Sequence, residues 1–168
     1  MCHSLSIHSN PAGQAEQDAA LLARLVHASP AVLYSCKVAE DCGTIAVTEN
    51  VRAVLGYPSQ DFISDPSFWA VRIHPEDSVR VFEEMPRLFR QGEQIVEYRF
   101  RHANGRYVWI RDQMKIECDA DGRPARILGS WLDITPYRRA DTFVATLVTD
   151  AAETNTETIE GGYYANQI

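Results

Sequence analysis

The sequence predicts an α+β domain: a five-stranded antiparallel sheet with short helices on one face, an additional helix before it and the start of another after it. Three observations carry this. Apolar and polar residues alternate through Val96–Phe100 and again through Val108–Cys118, the signature of strands with one buried and one wet face. Asn104-Gly105 and Asp121-Gly122 join those runs to each other and to a third, Ala125–Ile134. Upstream, two short strand candidates are separated from these three by segments with helical rather than alternating spacing, and helices placed among antiparallel strands define this class.

Each element has a local reason. Leu21, Leu22, Leu25 and Val26 share one face of a helix over Gln14–His27, which Ser29-Pro30 ends. Ala31–Lys37 and Thr44–Thr48 read as strands around a turn at Glu40–Gly43. Asn50 is placed to cap a short helix, Val51–Leu55, with Gly56 as its left-handed end. Ser59 is placed to cap another around Asp61, Phe62 and Ile63, and Ser64–Ile73 reads as irregular. Pro75 suits the first turn of a longer helix in which Val79, Phe82, Met85 and Phe89 recur at helical spacing. Pro86 is expected to kink or divide it.

The composition narrows the function. The chain has 168 residues, enough for one domain with extensions, and 45% apolar content supports a core. Its 16 basic and 23 acidic residues leave a net charge of -7, which argues against nucleic acid as a partner. No apolar run is long enough for a membrane span, and residues 1–14 lack signal-peptide character, so a cytoplasmic location is expected. Cys2, Cys36, Cys42 and Cys118 form no Cys-x-x-Cys pair and read as reduced thiols. No phosphate loop or nucleophile elbow occurs, and no kinase segment follows Thr135; the chain reads as a non-enzyme, with any kinase or cyclase output outside it. An acid–base site built from His74, Asp77 and Asp112 is the enzymatic alternative.

Four motifs stand in a telling order: Glu49-Asn50 through Leu55-Gly56-Tyr57; His74-Pro75-Glu76-Asp77; Asn104-Gly105-Arg106-Tyr107-Val108-Trp109; and Asp133-Ile134-Thr135. Together they resemble the PAS domain over roughly residues 27–140, in the branch common in bacterial sensor kinases and diguanylate cyclases. The chain is expected to divide into a leader and capping helix at 1–28, a PAS domain at 29–137, and an exit helix with a flexible tail at 138–168, of which the tail from Asp150 to Ile168 departs from the family pattern. The resemblance implies a sensory or relay module of signal transduction that acts through protein–protein contact. A ligand-free dimerisation scaffold, or the detached sensor portion of a histidine kinase or diguanylate cyclase, is the alternative.

The same resemblance assigns candidate residues. It makes the concave face of the sheet the place where a small-molecule ligand would sit; parity puts Tyr98, Phe100, Ile110, Asp112, Met114 and Ile116 on that face if no bulge intervenes, and the resemblance turns Trp131 inward as well. Asp112 breaks the apolar parity there; it reads as a pocket carboxylate that selects an amine or hydroxyl, or more simply as a bulge or an edge position open to water. Trp131, Phe100 and Tyr98 read as core filling ahead of a ligand cage, which argues for a small or absent cavity. The cofactor is left open. Flavin is disfavoured because no cysteine lies between Cys42 and Cys118 and the ring-binding positions hold Phe100, Ile110 and Trp131; haem is disfavoured because no histidine lies between Pro75 and Gln91. His74 reads as a structural imidazole, and no metal site is expected. Asp133, Thr135, Arg138 and Arg139 form the relay: Thr135 capping a helix that begins at Pro136, and Asp133 either pairing with Arg138 or Arg139 or satisfying local backbone donors. Ala140, Phe143, Val144, Leu147, Val148 and Ala151 would give that helix an apolar stripe. Tyr107 and Trp109 face outward, to be covered by the Leu21, Leu22, Leu25 and Val26 helix of the same chain or of a second copy in a homodimer.

Overall fold

The structure, a computed structural model, describes residues 11–38 and 43–140. The expected turn at Glu40–Gly43 falls mostly outside them, as do Cys2, Cys42, the stripe from Phe143 to Ala151 and the 150–168 tail. The elements run α1 (Pro11–Ala28), β1 (Val32–Lys37), β2 (Thr44–Val47), α2 (Val51–Leu55), α3 (Ser59–Ser64), a single 3-10 turn (Ala70–Arg72), α4 (Pro75–Gln91), β3 (Glu93–Arg101), β4 (Tyr107–Cys118) and β5 (Pro124–Asp133). All pairings are antiparallel and the strand order is β2-β1-β5-β4-β3, so the last strand lies at the centre beside the first.

The alternation predicted for the sheet holds. Val96, Tyr98 and Phe100 of β3, Ile110 and Met114 of β4, and Ile127 and Trp131 of β5 are all buried on one face. Phe62 of α3 fills the middle of that face, with its ring against Phe68, Phe100 and Trp131. Gly105 and Gly122 adopt φ of 85° and 77° in the two hairpin turns, where an L side chain would be strained. Gly56 ends α2 at φ 82°, and a Cβ there would lie 2.7 Å from Ala103 and His102, so α2 docks directly on the β3–β4 turn.

Several local expectations are corrected. Asn50 does not cap α2: its amide donates to Ser29 O and Ala31 O, tying the helix to the entry of β1. Ser59 is the first residue of α3 rather than its cap, and its hydroxyl binds Glu49. Helix α4 runs unbroken past Pro86. Its buried residues are Asp77, Val81 and Leu88, whereas Val79, Phe82 and Phe89 are exposed. The reason lies at its start, where His74 N–H donates to Arg99 O and Asp77 Oδ2 accepts from Arg99 N–H. These bonds also shield the otherwise free edge of β3. On α1, Leu21, Leu22 and Leu25 are 55–62% exposed, so within one chain the helix does not cover the sheet.

Candidate functional site

Asp112 is the only acidic residue among those described that is fully buried, at 1% exposure; Asp77 reaches 7%. It sits in regular register, paired with Val96 on β3 and Trp131 on β5, so neither a bulge nor an edge explains it. The sheet brings two phenols to it. Tyr34 Oη on β1 donates to Oδ1 at 2.7 Å, and Tyr98 Oη on β3 donates to Oδ2 at 3.0 Å. Trp69 Nε1 in turn donates to the Tyr98 oxygen at 2.8 Å. Trp131 Nε1 is buried with no well-formed hydrogen bond and faces Asp112 only as a weaker contact.

The electrostatics follow from this burial. Desolvation pushes the Asp112 carboxyl up to about 6, against the opposing pull of the Tyr34, Tyr98 and Trp131 donors. Both tyrosines are held well above their ordinary range, by burial first and by the Asp112 charge second. A cavity of about 40 Å³ adjoins the carboxylate, lined by residues that include Tyr34, Trp69, Met85, Asp112, Met114 and Trp131. That is room for about one water, against roughly 300–1,000 Å³ for an ordinary ligand pocket. Of the residues predicted to line a pocket, Asp112, Met114 and Trp131 border this cavity; Phe100 and Ile110 belong to the packed core, and Ile116 is half-buried. Tyr98 touches it through Asp112.

Tyr34, Trp69 and Gly129 were not singled out by sequence. The Tyr34 ring stacks on Trp131 at 4.5 Å between centroids and lies across Gly129, where a Cβ would come within 2.2 Å of it. A glycine inside a strand is the signal for such close approach.

The exit from β5 forms a second cluster. Trp109 O accepts from Ile134 N–H and Trp109 N–H donates to Thr135 Oγ1, both at 2.8 Å, so the chain stays zipped to β4 beyond the strand. Thr135 is therefore a latch and not a helix cap. The Asp133 carboxylate takes the Thr135 N–H at 2.8 Å, which is the local backbone role rather than an arginine pair. Arg138 instead binds Glu97 on β3, and its guanidinium lies 4.9 Å over the Trp109 ring. Arg99 approaches the same ring at 5.6 Å, so Trp109 is covered by two cations of its own chain rather than by α1. Arg139 is exposed, Tyr107 is 40% exposed, and the Tyr107 ring meets His74 edge-on at 4.5 Å.

The acid–base alternative does not assemble. His74 Nδ1 accepts from Glu76 N–H at the start of α4, and Asp77 is held by Arg99, whereas Asp112 binds only phenols on the inner face. The bonds from Arg99 keep Asp77 below the usual carboxylate range.

Comparison with known proteins adds to this geometry. The family model described as PAS fold matches residues 44–131. The two-component sensor PprA of Pseudomonas aeruginosa is 30% identical over 127 residues, covering 72% of this chain but only 13% of that protein. The chain thus spans about an eighth of that curated relative. Among solved structures, the N-terminal domain of a diguanylate cyclase with PAS/PAC sensor from Marinobacter aquaeolei superposes with a TM-score of 0.58 at 27% identity, covering 64% of this chain and 98% of that one. A sensory box histidine kinase/response regulator from Burkholderia thailandensis superposes at 0.59 with 20% identity, covering 79% and 98%, which shows a shared fold.

Proposed function

This chain belongs to the PAS family, and from that premise we propose that it is a sensory and relay module of a bacterial signalling system whose output is a histidine kinase or diguanylate cyclase. One observation carries the reading: the strand that reaches Asp112 through Trp131 is the strand whose end is latched to Trp109 by Thr135. A change at the core carboxylate and a change at the exit are thus two events on one pair of strands. The module acts in the cytoplasm as a homodimer, with exposed Leu21, Leu22 and Leu25 of α1 and the half-exposed Tyr107 as the apolar surface that a second copy covers. Catalysis of the output reaction belongs to a domain other than this one.

The test replaces the PAS domain of a diguanylate cyclase with this chain. Cyclase output that changes when Thr135→Val is introduced, with the sheet intact by circular dichroism, supports the relay. Output indifferent to both the wild-type and the Thr135→Val domain would refute it. A ligand-free scaffold is the second reading, favoured by the small cavity beside Asp112. A small molecule released on denaturing the purified chain, detected by mass spectrometry, would remove that reading.

A further inference from the structure

A buried carboxylate needs a reason, because removing its charge from water costs several kcal/mol unless partners offset it. Asp112 has no cationic partner among the described residues. The titratable groups beside it are Tyr34 from β1 and Tyr98 from β3, with Cys36 of β1 acting on both phenols; β2, β4, β5, α4 and the 3-10 region contribute Thr44, Met114, Ile127, Trp131, Met85 and Trp69 to the surroundings, none of which titrates. Two neutral phenols hold the charge, and their donation has a fixed direction: Trp69 to Tyr98 to Asp112 on one side, Tyr34 to Asp112 on the other.

We infer that Asp112 with Tyr34 and Tyr98 is a proton-responsive element, in which uptake of one proton by Asp112 reverses the Tyr34 bond and biases the latch at Thr135. The second half rests on the relay reading above. A protonated Asp112 must donate where it had only accepted. The Tyr98 oxygen is already engaged by Trp69, so Tyr34 is the phenol left to accept, and its own proton must turn away. The proton turns about the phenol's own C–O bond, and the exchange of a donated for an accepted bond at Oη bears on a ring that is tightly held. That ring lies against Gly129 and stacks on Trp131, both on β5, and Trp131 is cross-strand from Asp112 itself. Four residues beyond Trp131 stands Thr135, held by the Trp109 amide. The cavity beside the carboxylate admits a water to carry the proton, and the buried Trp131 Nε1–H offers that water a donor.

The experiment is a pH titration of the full chain from 4.5 to 8.5, followed by the infrared band of a protonated carboxyl and by hydrogen exchange at the Trp109 amide. The expected wild-type result is loss of one carboxyl band with a midpoint near 6, with a matching change in Trp109 exchange. Asp112→Asn should delete the band. Should that variant fail to fold, Tyr34→Phe and Tyr98→Phe supply the test: each removes a donor to the charged form and should raise the midpoint by roughly one pH unit. A band absent throughout, or a midpoint unmoved in both phenylalanine variants, overturns proton uptake at Asp112. A band that titrates while Trp109 exchange stays constant overturns the coupling to the exit, and leaves the family role to be judged by the cyclase chimaera.

Discussion

Asp112→Asn removes a charge while keeping the side chain's shape, so it isolates what the buried carboxylate does to stability. Burial pushes the folded carboxyl up to about 6, against 3.8 for an ordinary aspartate. That difference of roughly two units corresponds to about 3 kcal/mol, at about 1.4 kcal/mol per unit. Because the folded value lies above the unfolded one, the folded protein binds the proton more tightly. The contribution of this group is therefore fully present below about pH 4, declines as pH rises toward 6, and is gone above it. Asparagine is neutral throughout and resembles the protonated acid. The variant should match wild type near pH 4.5 to within about 1 kcal/mol and exceed it at pH 7.5 by up to about 3 kcal/mol. Urea denaturation at pH 4.5, 6.0 and 7.5 with linear extrapolation measures the difference directly. A variant destabilised by the same amount at all three values would refute the reasoning, since the phenol donors would then outweigh desolvation.

Three further outcomes test other parts of the structure. Asp77→Asn should cost about 1.5–3 kcal/mol at pH 7 by weakening the bonds to Arg99, and because the Asp77 carboxyl is held low, that loss should shrink only as pH falls below about 4; urea denaturation at pH 7 and pH 3 reads it. Gly129→Ala places a methyl into the Tyr34 ring and should cost about 1–3 kcal/mol in thermal or chemical unfolding, with a near-ultraviolet dichroism change from the disturbed Tyr34–Trp131 stack. Thr135→Val deletes the acceptor for the Trp109 N–H and should cost about 1 kcal/mol, speeding exchange of that amide about fivefold while leaving exchange in β1 unchanged.

The sheet and its turns were legible because their signals are local. A period of two along β3 and β4 states which side chains are buried, and a glycine at positive φ states where the chain reverses, whatever lies opposite. Helix faces were not legible in the same way. Along α4, Val79, Phe82 and Phe89 compose one apolar stripe and Val81 and Leu88 compose another, and nothing local ranks them. Contacts of His74 and Asp77 with Arg99, more than twenty residues away, selected the second.

From the sequence came the five strands, the anomaly at Asp112 and the family resemblance, which in turn implied an inward Trp131. What Asp112 does was decided only in three dimensions. Its partner Tyr34 lies 78 residues away, and the two meet because β5 inserts between β1 and β4 and leaves glycine at 129, with no side chain to keep the phenol from reaching over it. Periodicity records which way a side chain points from its own backbone; it carries no information about which distant strand will stand beside it.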